Sequence, residues 1–382
     1  MTNKIARIIF LRIMPALLGI ILIGLVAIKA LYGIGKTYPD IGLDSIEGEG
    51  KLEKLITLDY PPGNIAVGQN GHVYFNYHPL IRPTRFSEAT VFEWDNGKIS
   101  PFPSLEMQKN FQGSFGLTVD KQNRLWLIEP ATFDFKHTRI WAFDLKTKET
   151  AYFYEFPEGV AQYAEEIRVT GDGKYVLLPN PGIFRFTTSK LLVFSIEDHS
   201  VRTAIDGDPS VQPENWIMKT TEEKPYRLMY GLLNFAVGID GIEISDDEQW
   251  LYIASMTHSR LFRVPLADVV NEKLTALEVA SKIEDVSKKP MSDGITIDKS
   301  GNVIITDVEH GGLMAFNPLT KGISTLIRSK EIQWADGVAT GTDSALYFTD
   351  SSIPTYIGEF ALPPDEHLLL KNKPYCIYRL NH

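Results

Sequence analysis

From Asp293 to Asp307 the chain reads DGITIDKSGNVIITD. Apolar residues alternate at Ile295 and Ile297, Asp298 to Asn302 supply turn chemistry, and a second apolar run follows from Val303. That is the pattern of two short strands around a tight turn. Five other segments share it: GNIAVGQNGHVYFNY from Gly63, FGLTVDKQNRLWLIE from Phe115, EEIRVTGDGKYVLLP from Glu165, DGIEISDDEQWLYIAS from Asp240 and DGVATGTDSALYFTD from Asp336. Their starts are 52, 50, 75, 53 and 43 residues apart, a repeat length that belongs to propellers and solenoids. A third strand follows each of the first five, at Thr90–Trp94, Arg139–Asp144, Lys190–Ile196, Arg260–Pro265 and Gly312–Pro318. The last unit has only Cys376–Leu380 before the chain stops, while Lys51–Tyr60 (KLEKLITLDY) looks like the fourth strand of another unit. The expectation is an all-β, six-bladed β-propeller whose N-terminal strand completes the last blade. Two separate β-sandwiches would not produce six matching units. The best helix candidate in the body is Ala267–Ile283.

The 382 residues carry 44% hydrophobic and 23% charged side chains, enough apolar content for a sizeable core. The formal charge is −10, and Lys4, Arg7, Arg12 and Lys29 all lie in the first 30 residues, so the remainder is more acidic still. Such a body repels phosphate backbones, which argues against nucleic acid as a partner, and tolerates cations or basic small molecules. The single cysteine, Cys376, excludes an internal disulfide and reads as a buried small hydrophobe.

The sequence IMPALLGIILIGLVA runs from Ile13 to Ala27 without a polar residue, bracketed by Arg12 and Lys29. With its flanking apolar residues it reaches the length of a membrane span. The preceding basic residues predict a cytoplasmic N-terminus and a periplasmic or extracellular body. A cleaved signal peptide, poorly served by Ile28 and Ala30 around Lys29, and a buried core helix are the other readings. The chain thus divides into an anchor at 1–32, a Gly- and acid-rich tether at 33–50 and a propeller at 51–382.

In a propeller the first strand of each blade lines the axis, and the exit of its antiparallel partner lies on the same face. Alignment gives an entry ring of Gly63, Phe115, Glu165, Asp240, Asp293 and Asp336 and an exit ring of Tyr77, Glu129, Pro179, Ser255, Asp307 and Asp350. Seven carboxylates, Glu129, Glu165, Asp240, Asp293, Asp307, Asp336 and Asp350, are therefore the candidate ligand-binding residues at one mouth. Like charges so close must share protons or bind a cation. Oxygen ligands favour Ca²⁺, with Asp240 and Asp293 as its candidate ligands. The plainer account is that each Asp-Gly makes a tight turn. The eight histidines show no metal-binding spacing, and Gly113-Ser114-Phe115-Gly116 is no nucleophile elbow because Gln112 stands where glycine is required.

The runs GDPSVQPENWIMKT, GIDGIEISDDEQWLYIASMTHSRLFRVP and KKPMSDGITIDKSGNVIITDVEHGGLMAFNP resemble the bacterial, dopachrome tautomerase-related branch of the major royal jelly protein/yellow family, over roughly Leu52 to Leu380. The resemblance implies an exported six-bladed propeller that binds or acts on a small molecule, an aromatic amine or catechol-type compound, in its channel. A more distant similarity is to the SMP-30/gluconolactonase propellers, which hold a divalent ion at the channel mouth. Asp293 matches their Asp-Gly and Asp240 stands at their Asn, whereas the first blade has Gly63-Asn64 where they have Glu. Three functions stay open: a small-molecule-binding or isomerase-type propeller, a Ca²⁺-dependent lactone hydrolase, and an interaction scaffold using outer loops such as Arg202–Tyr230.

Overall fold

The β-branched and aromatic runs on either side of each turn form strands, and the strands form six four-stranded antiparallel sheets. This is the arrangement in the computed structural model, which describes residues 10, 13–42, 52–84, 87–132, 135–357 and 364–381. Blade one holds Pro62–Val67, Val73–Tyr77, Val91–Asp95 and Lys98–Pro101, and blade two Leu117–Val119, Arg124–Glu129, Arg139–Asp144 and Thr150–Glu155. Blade three holds Arg168–Val169, Tyr175–Asn180, Lys190–Ser195 and Val201–Asp206, and blade four Gly241–Ile244, Trp250–Ala254, Arg260–Pro265 and Glu284–Lys288. Blade five holds Ile295–Ile297, Val303–Asp307, Gly312–Asn317 and Gly322–Arg328. Blade six is Ala335–Thr340, Leu346–Asp350, Tyr375–Leu380 and, from the other end of the chain, Leu52–Leu58. Leu52 pairs with Leu380 and Leu58 with Tyr375, which shuts the ring.

Neighbouring sheets stack face to face. Trp126, Phe156, Val176 and Phe194 fill the seam between blades two and three, and Leu177, Val193, Ile242 and Ile253 that between three and four. Each such side chain, removed from water, contributes about 1.5–3 kcal/mol. Cys376 sits in the seam between blades five and six. Asn96 and Gly97, both at positive φ, make the two-residue hairpin between Val91–Asp95 and Lys98–Pro101.

Two local expectations change. The helix foreseen over Ala267–Ile283 is two short ones, Leu266–Val269 and Ala276–Ala280. Thr275 caps the second in a box with Glu278, and a capping residue inside the stretch starts a new helix. The tether foreseen at 33–50 is docked over its first ten residues: Lys36–Thr37 pairs in parallel with Trp216–Ile217, Tyr38 is buried, and Asp40 takes two hydrogen bonds from Arg328 at 2.6 and 2.7 Å. Residues 43–51 lie outside the described residues.

Ahead of this strap, Met14–Tyr32 forms a single helix with no buried residue. At about 1.5 Å per residue it is about 28 Å long, close to the thickness of a bilayer's hydrocarbon core. It is a candidate membrane span, and a signal sequence would pass the same test.

Candidate functional site: an acid-floored well at one mouth of the ring

The repeated Asp-Gly pairs are not turns. Gly241, Gly294 and Gly337 lie at the start of inner strands and have no positive φ. What they provide is room. A Cβ on Gly241 would stand 2.7 Å from the carbonyl oxygen of Asp293, one on Gly294 2.6 Å from that of Asp336, and one on Gly337 2.8 Å from Cα of Asn64. Gly116 of blade two abuts the carbonyl of Glu165 in the same way. The inner strands therefore close ranks around the axis through glycine, three of them against the entry-ring acid of the next blade and Gly337 against Asn64.

Blades one and three break that pattern with Asn64 and Glu166. Asn64 Nδ2 donates to Glu166 Oε1, so the two exceptions meet each other. Arg168 donates to Glu166 Oε2 at 2.9 Å and to Glu243 Oε2 at 3.0 Å. This network lies beneath the entry ring and plugs the axis.

Above the plug stands a cavity of about 460 Å³, within the range of small-molecule sites. All six entry-ring residues line it: Gly63, Phe115, Glu165, Asp240, Asp293 and Asp336. The Asp240 and Asp293 carboxyls hydrogen-bond each other, which requires one of them to hold a proton. Burial and the charge of Asp293 push Asp240 well above the usual carboxylate range. Asp293 also accepts the Trp334 indole N–H at 2.7 Å. Burial and the nearby Asp293 and Glu166 raise Glu165 to about 8. Glu166 reaches about 7, burial outweighing Arg168. Asp336, raised well up by burial and by Asp293, has one carboxyl oxygen, Oδ2, without a hydrogen-bond partner. His78 Nε2 lies 3.8 Å from that oxygen. Burial lowers His78 to about 3, so the ring is neutral; its Nδ1 accepts the Leu80 N–H, which puts the proton on Nε2.

The walls are of another character. Phe115, Phe184, Tyr226, Phe235, Met256 and Ile353 surround the well, with Tyr226 and Phe235 in ring contact at 4.8 Å. The Tyr226 hydroxyl is buried without a hydrogen-bond partner. Tyr226 and Phe235 come from the long connection between blades three and four, the origin of the 75-residue spacing. Part of the Arg202–Tyr230 stretch, foreseen as outer loops, thus folds over the mouth.

The exit-ring carboxylates are elsewhere. Glu129, Asp307 and Asp350 do not line the cavity. Glu129 accepts the backbone N–H groups of Gln112 and Gly113, the Trp141 indole at 2.9 Å and Arg139 at 3.1 Å. Asp307 is held by His310 at 2.8 Å and Arg328 at 2.9 Å. Asp350 accepts the N–H groups of Gln333, Trp334 and Ser352 at 2.9–3.0 Å. The second strand stands one strand spacing farther from the axis, about 4.8 Å. In Glu129 and Asp350 the terminal carboxyl reaches the segment leading into the first strand, and in Asp307 it meets His310 and the fourth strand's Arg328, instead of the well. Of the seven candidates, four meet at the mouth; Glu166, Asn64, His78 and Tyr226 join them, unforeseen. The signal for Asn64 and Glu166 was present, since they alone occupy the column that is glycine in the other four units.

A divalent cation fits this donor set poorly. Among the described residues no three His, Cys, Asp or Glu side chains are disposed to hold a metal ion. Glu166 is taken up by Arg168 and Asn64, Asp293 accepts the Trp334 indole, and blade one offers Gly63 where a further carboxylate would be needed.

No family model and no curated protein matches the chain. Solved structures do match in shape. A gluconolactonase from Xanthomonas campestris superposes with a TM-score of 0.54 at 12% identity, covering 91% of this chain and 94% of its own. A luciferin-regenerating enzyme gives 0.55 at 11% identity, covering 87% and 95%. A chain from a nidogen/laminin complex gives 0.50 at 10% identity, covering 73% and 84%. These neighbours include enzymes and a component of a protein assembly, so the likeness speaks for architecture alone. The chain is a six-bladed β-propeller, similar in fold to that gluconolactonase.

Proposed function

We propose that the protein binds, and rearranges by proton transfer, a small molecule with an apolar or aromatic body and a cationic or hydrogen-bond-donating head, in the class of aromatic amines and catechol-type compounds. The observation that carries this is the pairing of an aromatic well with a floor of clustered, buried carboxyls, one of whose oxygens, Asp336 Oδ2, is buried and unpartnered. A cationic head set on that floor would ionise Asp240, Asp336 or Glu165 and be held by the resulting charge. Asp293, whose carboxyl accepts the Trp334 indole N–H, is the candidate base, and Asp240 beside it the candidate acid that returns the proton. The resemblance to the royal jelly/yellow family points to the same ligand class. In this reading the N-terminal helix anchors the protein and the propeller is extracytoplasmic.

A second reading, Ca²⁺-dependent lactone hydrolysis, is supported by the activity of the gluconolactonase of like fold and by the adjacent Asp240 and Asp293. The apolar walls offer little to a polyhydroxylated sugar lactone, which places it second. The two separate in one assay. Phenethylamine should raise the melting temperature and release protons on binding, measured by calorimetry in buffers of different ionisation enthalpy, whereas phenylethanol should do neither. Stabilisation by Ca²⁺ and gluconolactone, with no response to the amine, would reject the first reading in favour of the second.

A further inference from the structure

The well and the N-terminal helix share a wall. The helix ends on the mouth face of the propeller, against two connections that also line the cavity. Lys29, in its last turn, donates to the carbonyl of Gly231, and Arg185 donates to the carbonyl of Leu31 at 3.1 Å. Tyr32 packs on Phe186 with ring centroids 4.5 Å apart. Phe184, two residues away, lines the cavity and stacks edge-on with Phe235, another lining residue, at 5.9 Å. Leu228 and Met229, just ahead of Gly231, line it too.

These connections therefore sit at the depth of the helix's last turn. They are dressed for it. Phe186, Met229 and Tyr230 are 44%, 38% and 70% exposed, and Ile34 just beyond the helix is 56% exposed. Lys29 and Arg227 both approach Gly231, and Arg185 is alongside, so basic groups gather on this rim of an otherwise acidic body. An aromatic and aliphatic rim with basic side chains is what a lipid interface accommodates. Polarity also runs in one direction: exposed apolar rim, aromatic wall, acid floor, plugged axis.

We infer that the cavity opens onto the bilayer, its rim seated in the interface, and that its ligand is an amphiphilic amine taken head first from the lipid phase. The orientation rests on reading Met14–Tyr32 as a membrane span, and the ligand class on the function proposed above. An amine entering from lipid keeps its tail among apolar groups throughout, while its head passes to Asp336 and the Asp240–Asp293 pair. A mouth turned to water would expose the same rim at a cost.

The full chain in lipid nanodiscs tests both parts. An environment-sensitive fluorophore on Tyr230→Cys, with Cys376 buried as background, should lose most of its emission to lipids spin-labelled near the headgroup. The same label on Leu319→Cys should lose none, because that residue lies on the turn between the third and fourth strands of blade five, on the opposite face. Phe186→Cys serves if the first variant does not fold. Equal quenching at Tyr230 and Leu319, or none at either, overturns the orientation. For the lipid route, Tyr230→Asp should weaken stabilisation by dodecylamine in the discs several-fold and leave that by phenethylamine unchanged; loss of both or of neither overturns it. If no amine stabilises the unsubstituted protein, the amine reading fails, and the quenching result still decides the orientation.

Discussion

Two sets of buried carboxyls stand within a strand's width of each other and do opposite things. Glu129 and Asp350, at the exits of second strands, are met by backbone N–H groups, an indole or an arginine. Burial pushes both upward, Asp350 to about 6, while those donors pull back. Asp240, Asp293 and Asp336, at the entries of first strands, meet mainly one another. Burial is the same in the two sets; supply of donors is not. A carboxyl whose acceptors are all used is a clamp, whereas one that must keep a proton for want of a partner is ready for a ligand.

The largest effect should come from breaking a clamp. Glu129→Ala leaves Arg139 and two backbone N–H groups buried without their acceptor, and should cost about 3–5 kcal/mol in chemical denaturation. A loss under about 1 kcal/mol would erase the distinction between the rings. Next is Gly294→Ala, whose methyl would meet the Asp336 carbonyl at 2.6 Å. Overpacking there should cost about 1–3 kcal/mol. If instead the glycine were only a turn residue, alanine at its negative φ would be tolerated.

The remaining predictions concern the entry ring. Asp293→Asn should keep the fold, since Asn still accepts the Trp334 N–H, and should abolish stabilisation by phenethylamine. In the unsubstituted protein that stabilisation is about 2.7 kcal/mol at a ligand concentration of a hundred times Kd. An unchanged response would remove Asp293 from the site. The pH profile is the gentler test. Glu165 rises from 4.5 to about 8 in the folded state, so the native protein holds a proton the unfolded chain has released. Its contribution to stability is fully present below about pH 4.5 and is lost as pH climbs through about 8. Urea midpoints of the ligand-free protein should fall across that window, and Glu165→Gln should flatten the fall. A profile that rises with pH would mean the carboxyls are paired after all. Asp336→Asn should barely move the stability of the ligand-free protein below about pH 4, where the carboxyl is protonated in both states, and should raise it at neutral pH, where the fold keeps a proton that the unfolded chain has released.

The architecture could be read from sequence because a propeller repeats: Asp293–Asp307 predicts its five counterparts, and Leu52–Leu58 could be matched to Gly322–Arg328 by pattern. The entry ring followed from the same alignment. What alignment cannot supply is distance from the axis, and Glu129, Asp307 and Asp350, although at the mouth end of their strands, do not line the cavity. Nor could it supply Tyr226 and Phe235, which come from an insertion with no counterpart in other blades. The Asp-Gly pairs show the limit from the other side. Their regularity was visible, but its cause, a carbonyl of the next blade pressed against each glycine, lies between segments more than 40 residues apart.

The clasp of blade six has a consequence for how the molecule comes into being. Leu52–Leu58 is the first strand of the ring to leave the ribosome, and its partner Tyr375–Leu380 is among the last. Until that partner is made the opening strand has no neighbour on that side, and five finished blades remain an open arc with two raw edges. The ring, and with it the acid-floored well, cannot close before Tyr375–Leu380 has been made. Both edges stay open until Tyr375–Leu380 arrives to cover them.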